Sequence, residues 1–96
     1  MKESVIEKHL VKRVKALGGE VRKVQWIGRR GAPDRLVMLP WTGLPNMTPD
    51  ATTWVELKAP GVKPDAHQLR EHERMRAMGQ RVVVIDSIEG VEELLS

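Results

Sequence analysis

The sequence predicts a single α/β domain running helix, three strands, helix, strand, helix. An apolar stripe at helical spacing (Ile6, Leu10, Val14, Leu17) opens the chain. An unbroken apolar run, Val82-Val83-Val84-Ile85, follows a second helical segment. Clusters of Gly and Pro punctuate the segments between them. Ninety-six residues are too few to build two cores, so residues 1–96 are expected to form one domain.

Glu3 to Leu17 is the first expected helix, stopped by Gly18-Gly19. Glu20 to Trp26 alternates charged and apolar residues imperfectly, as an edge strand does. Gly28 to Pro33 is a turn, and Asp34 to Leu39 reads as a buried strand. Residues 40–52 hold three Pro, a Gly and an Asn and are expected to form a loop. A loop that long in so small a domain points to a functional role. Thr53 to Lys58 is rich in β-formers and gives the third strand. After the exposed turn Ala59 to Pro64 comes a helix over Asp65 to Met78, with Asp65 as N-cap and Gly79 at its end. Arg81 to Asp86 is the last strand, expected in the sheet interior because its apolar run is unbroken. Ile88 to Leu95 closes the chain as a short helix.

Composition excludes several classes of protein. The chain is 41% hydrophobic, with three Trp and neither Phe nor Tyr, so the core must be aliphatic. Cys is absent, which rules out a disulfide framework and a thiolate zinc site and fits a reducing compartment. No apolar stretch approaches the length of a membrane span. The charged N-terminus lacks a signal-peptide apolar region. These features fit a cytoplasmic location. The net charge of +3 is modest, so the arrangement of the charges matters more than their sum.

The chemically informative pattern is Pro33-Asp34, twenty-one residues, then Glu56-Leu57-Lys58. Side chains alternate across a strand, so Glu56 and Lys58 project from one face. If the strands of Asp34 and Glu56 pair as neighbours, the two carboxylates can share a hard divalent cation, Mg2+ or Mn2+. The Lys58 ammonium could then hold an attacking water or neutralise charge growing on a phosphate. As bare letters the pattern is unspecific. Asp34 also suits a turn, and Glu56 with Lys58 also suits a solvated strand face.

Two helical residues extend the candidate site. Glu7 falls on the apolar side of the first helix, where a carboxylate needs a cation or a metal-held water as partner. Ser4-Val5-Ile6-Glu7 equally fits a capping box. Gln68 shares a helical face with His72 and Met75 and is expected to point inward. It too fits a capping box, with Asp65. His72 reads as a buried, hydrogen-bonded core residue rather than a ligand.

Together, Gly31-Ala32-Pro33-Asp34, Trp54-Val55-Glu56-Leu57-Lys58, the Gln68-Leu69 helix ending at Gly79, and the Arg81-Val82-Val83-Val84 strand, framed by Glu7, resemble the PD-(D/E)xK nuclease superfamily. The likeness is greatest to its virus-type replication-repair nuclease domain, VRR-Nuc, and runs from Ser4 to Leu95. It implies an αβββαβ restriction-endonuclease-like core with a central mixed sheet flanked by helices. It implies that Asp34 and Glu56 bind the metal, with the Leu57 carbonyl as third ligand, and that Lys58 is the catalytic lysine. Glu7 would support the metal or its waters, and Gln68 would orient Lys58 or the attacking water. Short single-domain members resemble homodimeric phage or bacterial endonucleases that cut branched DNA, four-way (Holliday) junctions included.

DNA would be gripped mainly through its phosphates. Arg29 and Arg30 precede Asp34 in a Gly-bounded turn, and Lys63 follows Lys58 in the next, so two basic loops are expected to flank the site. Lys2, Lys8, Lys12 and Lys15 read as a solvated helix face. Trp41 could stack on an unpaired base, anchor a dimer partner or cover the edge of the core. Two matched cuts in a junction would call for a two-fold homodimer. The competing readings are a non-catalytic nucleic-acid-binding module, a structural subunit of a larger complex, and a nuclease of linear duplex.

Overall fold

The computed structural model describes residues 1–40 and 52–96. Trp41 and most of the loop expected over 40–52 lie outside the described residues. The elements are α1 (Glu3–Ala16), β1 (Glu20–Lys23), β2 (Arg35–Met38), β3 (Thr52–Leu57), α2 (Ala66–Ala77), β4 (Val82–Ile85) and α3 (Ile88–Leu95). The strands form one sheet in the order β1-β2-β3-β4. The β1–β2 and β2–β3 pairs are antiparallel and the β3–β4 pair is parallel, so the sheet is mixed.

Strand alternation sorts the two faces. Val37, Val55, Leu57 and Ile85 point to one side and are buried with Ile6, Leu10 and Val14 of α1 and Val91 of α3. Ile6, Leu10 and Val14 are fully buried, and each such side chain contributes about 1.5–3 kcal/mol. α1 is therefore held by its stripe rather than by its cap. Its N-cap is Lys2, with no side-chain capping bond, so the Ser4–Glu7 capping box does not form. At the rim, Glu92 of α3 accepts bonds from Arg13 Nε (2.9 Å) and Nη2 (3.1 Å) and lies 2.7 Å from His9 Nε2. These exposed pairs orient the two helices more than they stabilise them. The other face, carrying Trp54 and Glu56, meets α2 through the buried His72 and Met75.

Two expectations are corrected. β4 is an edge strand, not an interior one: among the described residues only β3 pairs with it, and Val84 is 38% exposed. Its unbroken apolar run arises because helices pack near both of its faces, so sequence pattern alone could not reveal the open side. β1 stops at Lys23 rather than Trp26. One more ladder bond, from Val24 N–H to the Asp34 carbonyl (2.9 Å), follows. The Trp26 indole N–H then donates to the Pro33 carbonyl at 2.8 Å, and the chain turns away.

Candidate active site

The register decides which residues meet. β2 and β3 pair with Arg35 opposite Val55 and Val37 opposite Thr53. One step further, the same register brings Asp34 opposite Glu56. The even-numbered residues of β2 spend their backbone bonds on β1, as Val24 N–H to the Asp34 carbonyl shows. Asp34 and Glu56 are thus a non-hydrogen-bonded cross-strand pair, the type whose Cα atoms lie about 4.5 Å apart with side chains close together. Lys58, two residues beyond Glu56, continues on that face, and its N–H donates to the Ile85 carbonyl (2.9 Å), which keeps it in the sheet.

The electrostatics agree with this convergence. Glu56 is 8% exposed, and its carboxyl is pushed up to about 7. Burial is the main cause. Lys58 opposes it, and the charges of Asp34, Glu3 and Asp65 raise it further. Among the described residues three acids therefore act on Glu56 against one ammonium, and an added cation would relieve both the desolvation and the repulsion.

The donor set suits a hard divalent cation. Among the described residues, no group of three Asp, Glu or His side chains converges to hold a metal without help. Two carboxylates and a backbone oxygen are nevertheless enough for Mg2+, which keeps several of its waters. Continued two residues past the Arg35–Val55 pair, the same register would direct the Leu57 carbonyl toward position 33, where Pro33 has no N–H to donate.

The remaining candidates are placed differently. Glu7 is engaged by Arg35. Its Oε2 accepts from Arg35 Nη2 at 2.9 Å, and Arg35 Nη1 lies 2.9 Å from Asp34 Oδ1. Arg35, with only 11% of its side chain exposed, thus links Glu7 to Asp34. Sequence reasoning passed over Arg35, although a charged residue at the head of the apolar run Leu36-Val37-Met38-Leu39 was the available signal. Gln68 is half-buried and spends its side-chain oxygen on the helix cap. Its Oε1 accepts from Asp65 N–H (3.0 Å) while its own N–H donates to Asp65 Oδ1 (2.9 Å), which completes the capping box. That cap lies near the site, since Lys58 helps lower the Asp65 carboxyl, after the hydrogen bond from the Gln68 backbone.

His72 is fully buried with Nε2 3.4 Å from Glu56 Oε1, and its Nδ1 has no partner. Burial, then the charges of Arg76 and Lys58, pushes its pKa down, so it backs Glu56 as a neutral ring. Of the basic residues, Arg29 is tied through Nε to the buried Glu71 at 2.8 Å. Arg30 and Lys63 are exposed and make no ion pair among the described residues.

The turn that delivers Asp34 is locked onto α2. Gly31 has φ +86°, and a Cβ there would lie 2.7 Å from the His67 carbonyl oxygen and 3.0 Å from Gln68 N. Only glycine fits, for both conformation and space. Gly31→Ala is expected to cost about 2 kcal/mol or more, some 10 °C in Tm for a domain of this size. It should also displace Asp34. An unchanged thermal melt would show that the turn does not depend on this contact.

No family model matches the chain. Over 87 residues it is 48% identical to "Putative nuclease p44" of Acyrthosiphon pisum secondary endosymbiont phage 1, covering 91% of this chain and 85% of that protein. A solved structure described as a VRR_NUC domain superposes with a TM-score of 0.79 at 43% identity, covering 99% of this chain and 95% of that one. With an acidic cross-strand pair and a lysine at the end of a mixed sheet, and with likeness of this extent, the chain belongs to the VRR-Nuc family of nuclease domains.

Proposed function

We propose that the protein is a Mg2+- or Mn2+-dependent endonuclease that hydrolyses phosphodiester bonds in branched DNA, four-way junctions included, and acts as a homodimer. The observation that carries this reading is the Asp34–Glu56 cross-strand pair with Lys58 on the same face. A divalent cation, when bound, would polarise the phosphoryl oxygen and make water a competent nucleophile at neutral pH. Asp34, Glu56 and the Leu57 carbonyl would hold it. Arg35 fixes Asp34 from behind and Glu7 fixes Arg35, so Glu7 acts at one remove. The Lys58 ammonium neutralises charge on the phosphate or orients the attacking water. Arg30 and Lys63 supply phosphate contacts on either side, and Arg29 adds the exposed part of its guanidinium. Gln68 keeps its amide nitrogen for a water near Lys58, while its oxygen serves the helix cap.

The dimer supplies two sites related by a two-fold axis, as paired cuts in a symmetric junction require. The location in the cytoplasm of a bacterial or phage-infected cell belongs to the same reading. Among the described residues no helix is long and apolar enough to cross a membrane.

The test is a panel of four-way junction, flap, fork and linear duplex, with wild type and Lys58→Ala, with Mg2+ and with EDTA. The expected result is junction cleavage by wild type in Mg2+ only, reduced at least a hundredfold in Lys58→Ala. Equal cleavage by Lys58→Ala would overturn the assigned mechanism. Preference for linear duplex would overturn the substrate, and monomer at assay concentration in light scattering would overturn the dimer.

A further inference from the structure

Beside the acidic pair a cleft runs on from Asp34 and Arg29 to Lys23, Gln25 and Trp26, residues that have no part in the cleavage chemistry. Its volume is about 540 Å3, and it is lined by Lys23, Gln25, Trp26, Arg29 and Asp34, with Val24 and Ala32. That volume falls in the range of small-ligand sites, about 300–1,000 Å3. Trp26 is held at two points. Its N–H donates to the Pro33 carbonyl, and its ring centroid lies 5.1 Å from that of Trp54, tilted by 49°. Trp54 is in turn bonded to Gln80 Oε1 at 3.1 Å. Trp26 nevertheless remains 36% exposed and forms part of the cleft wall. Lys23 is exposed and makes no ion pair among the described residues. Arg29 is anchored by Glu71 yet 45% exposed. One cavity thus gathers a rigid aromatic surface, two cations and an exposed amide, and Asp34 forms part of its wall.

That set matches one nucleotide: a π-face for the base and cations for the phosphate. A base in duplex is stacked and presents only its edges, whereas an unpaired base can present its face to an indole. We propose that the cleft takes one unpaired nucleotide of the DNA, its base against Trp26 and its phosphate between Lys23 and Arg29, next to the bond that is cut at Asp34. The proposal rests on the nuclease reading and deepens it, because the capture of an unpaired nucleotide would favour branched over continuous duplex.

The experiment measures binding in EDTA, where nothing is cut, by anisotropy of a fluorescein-labelled forked duplex. The single-stranded arms carry either thymidines or abasic sugar-phosphates. Wild type is expected to bind the thymidine fork about tenfold more tightly than the abasic fork, the size of one base–aromatic stack. Trp26→Leu should bind both forks equally. Trp26→Phe, which keeps an aromatic face but loses the bond to Pro33, should retain most of the discrimination. Lys23→Ala should weaken both forks alike and lower the salt slope by about one. The proposal is overturned if wild type does not distinguish the forks, if Trp26→Leu still does, or if Trp26→Phe behaves as Trp26→Leu. Failure of the nuclease reading would show elsewhere, as no Mg2+-dependent cleavage by wild type, and would leave this readout intact.

Discussion

Glu56→Gln is expected to lower metal-dependent cleavage by about three orders of magnitude or more while leaving the protein folded. The change is isosteric and removes the charge alone. The Glu56 carboxylate is buried, stands opposite Asp34 and is backed by a neutral His72. In the proposed metal site it is thus the ligand with the least freedom to be replaced by water. Loss of several kcal/mol of transition-state stabilisation by the metal corresponds to roughly a thousandfold, at about 1.4 kcal/mol per decade. The fold should not suffer, because a buried carboxylate without a cation is a cost that the amide relieves. Single-turnover cleavage of a labelled junction, with Mn2+ titration by calorimetry, separates lost binding from lost chemistry. Cleavage within tenfold of wild type would remove Glu56 from the metal site.

The second large effect is in pH. Glu56 titrates near 7 in the metal-free protein, against 4.5 for an ordinary Glu carboxyl. The folded state therefore holds this proton more tightly than the unfolded chain. Its contribution to stability is complete below pH 4.5 and is lost as pH rises from there through 7, a loss of a few kcal/mol at most. Metal binding runs the opposite way, because the cation takes the ionised form and must displace the proton below pH 7. The stabilisation by Mg2+ is therefore expected to be near zero at pH 5.5 and to grow through pH 7 to a plateau near 8. Thermal melts with and without Mg2+ at those three values measure it. In Glu56→Gln the increase should vanish. A Mg2+ shift of the same size at pH 5.5 and 8 in wild type would place the cation away from Glu56. Cleavage by wild type should rise with pH over the same window, about tenfold per unit below 7 when metal is not saturating.

Local periodicity sufficed for the seven elements and most of their ends, because each is written in short-range terms. The stripe of α1, the Asp65 cap with Gly79 beyond α2, and the β-formers of β3 act within a few residues of one another. The spacing of Glu56 and Lys58 on one face follows from strand alternation alone. What alternation cannot supply is register and neighbours. The pairing of Arg35 with Val55, which sets Asp34 opposite Glu56, comes from packing Val37 and Val55 onto α1.

Tertiary structure also chose between readings that the sequence left open. Gln68 closed a capping box because Asp65 lay one turn away, whereas Glu7 did not, because α1 begins one residue before Ser4 and Arg35 offered a charge. Arg35 as the link between Glu7 and Asp34, His72 beneath Glu56 and the cleft at Trp26 all join residues distant in sequence. The open edge of β4 was likewise invisible, since an apolar run reports what covers a strand's faces and says nothing of what lies along its side. The chain by itself thus determined its elements and the chemical types at its site. The folded arrangement decided which of them touch, because contact between distant residues depends on how whole elements pack and not on any local spacing.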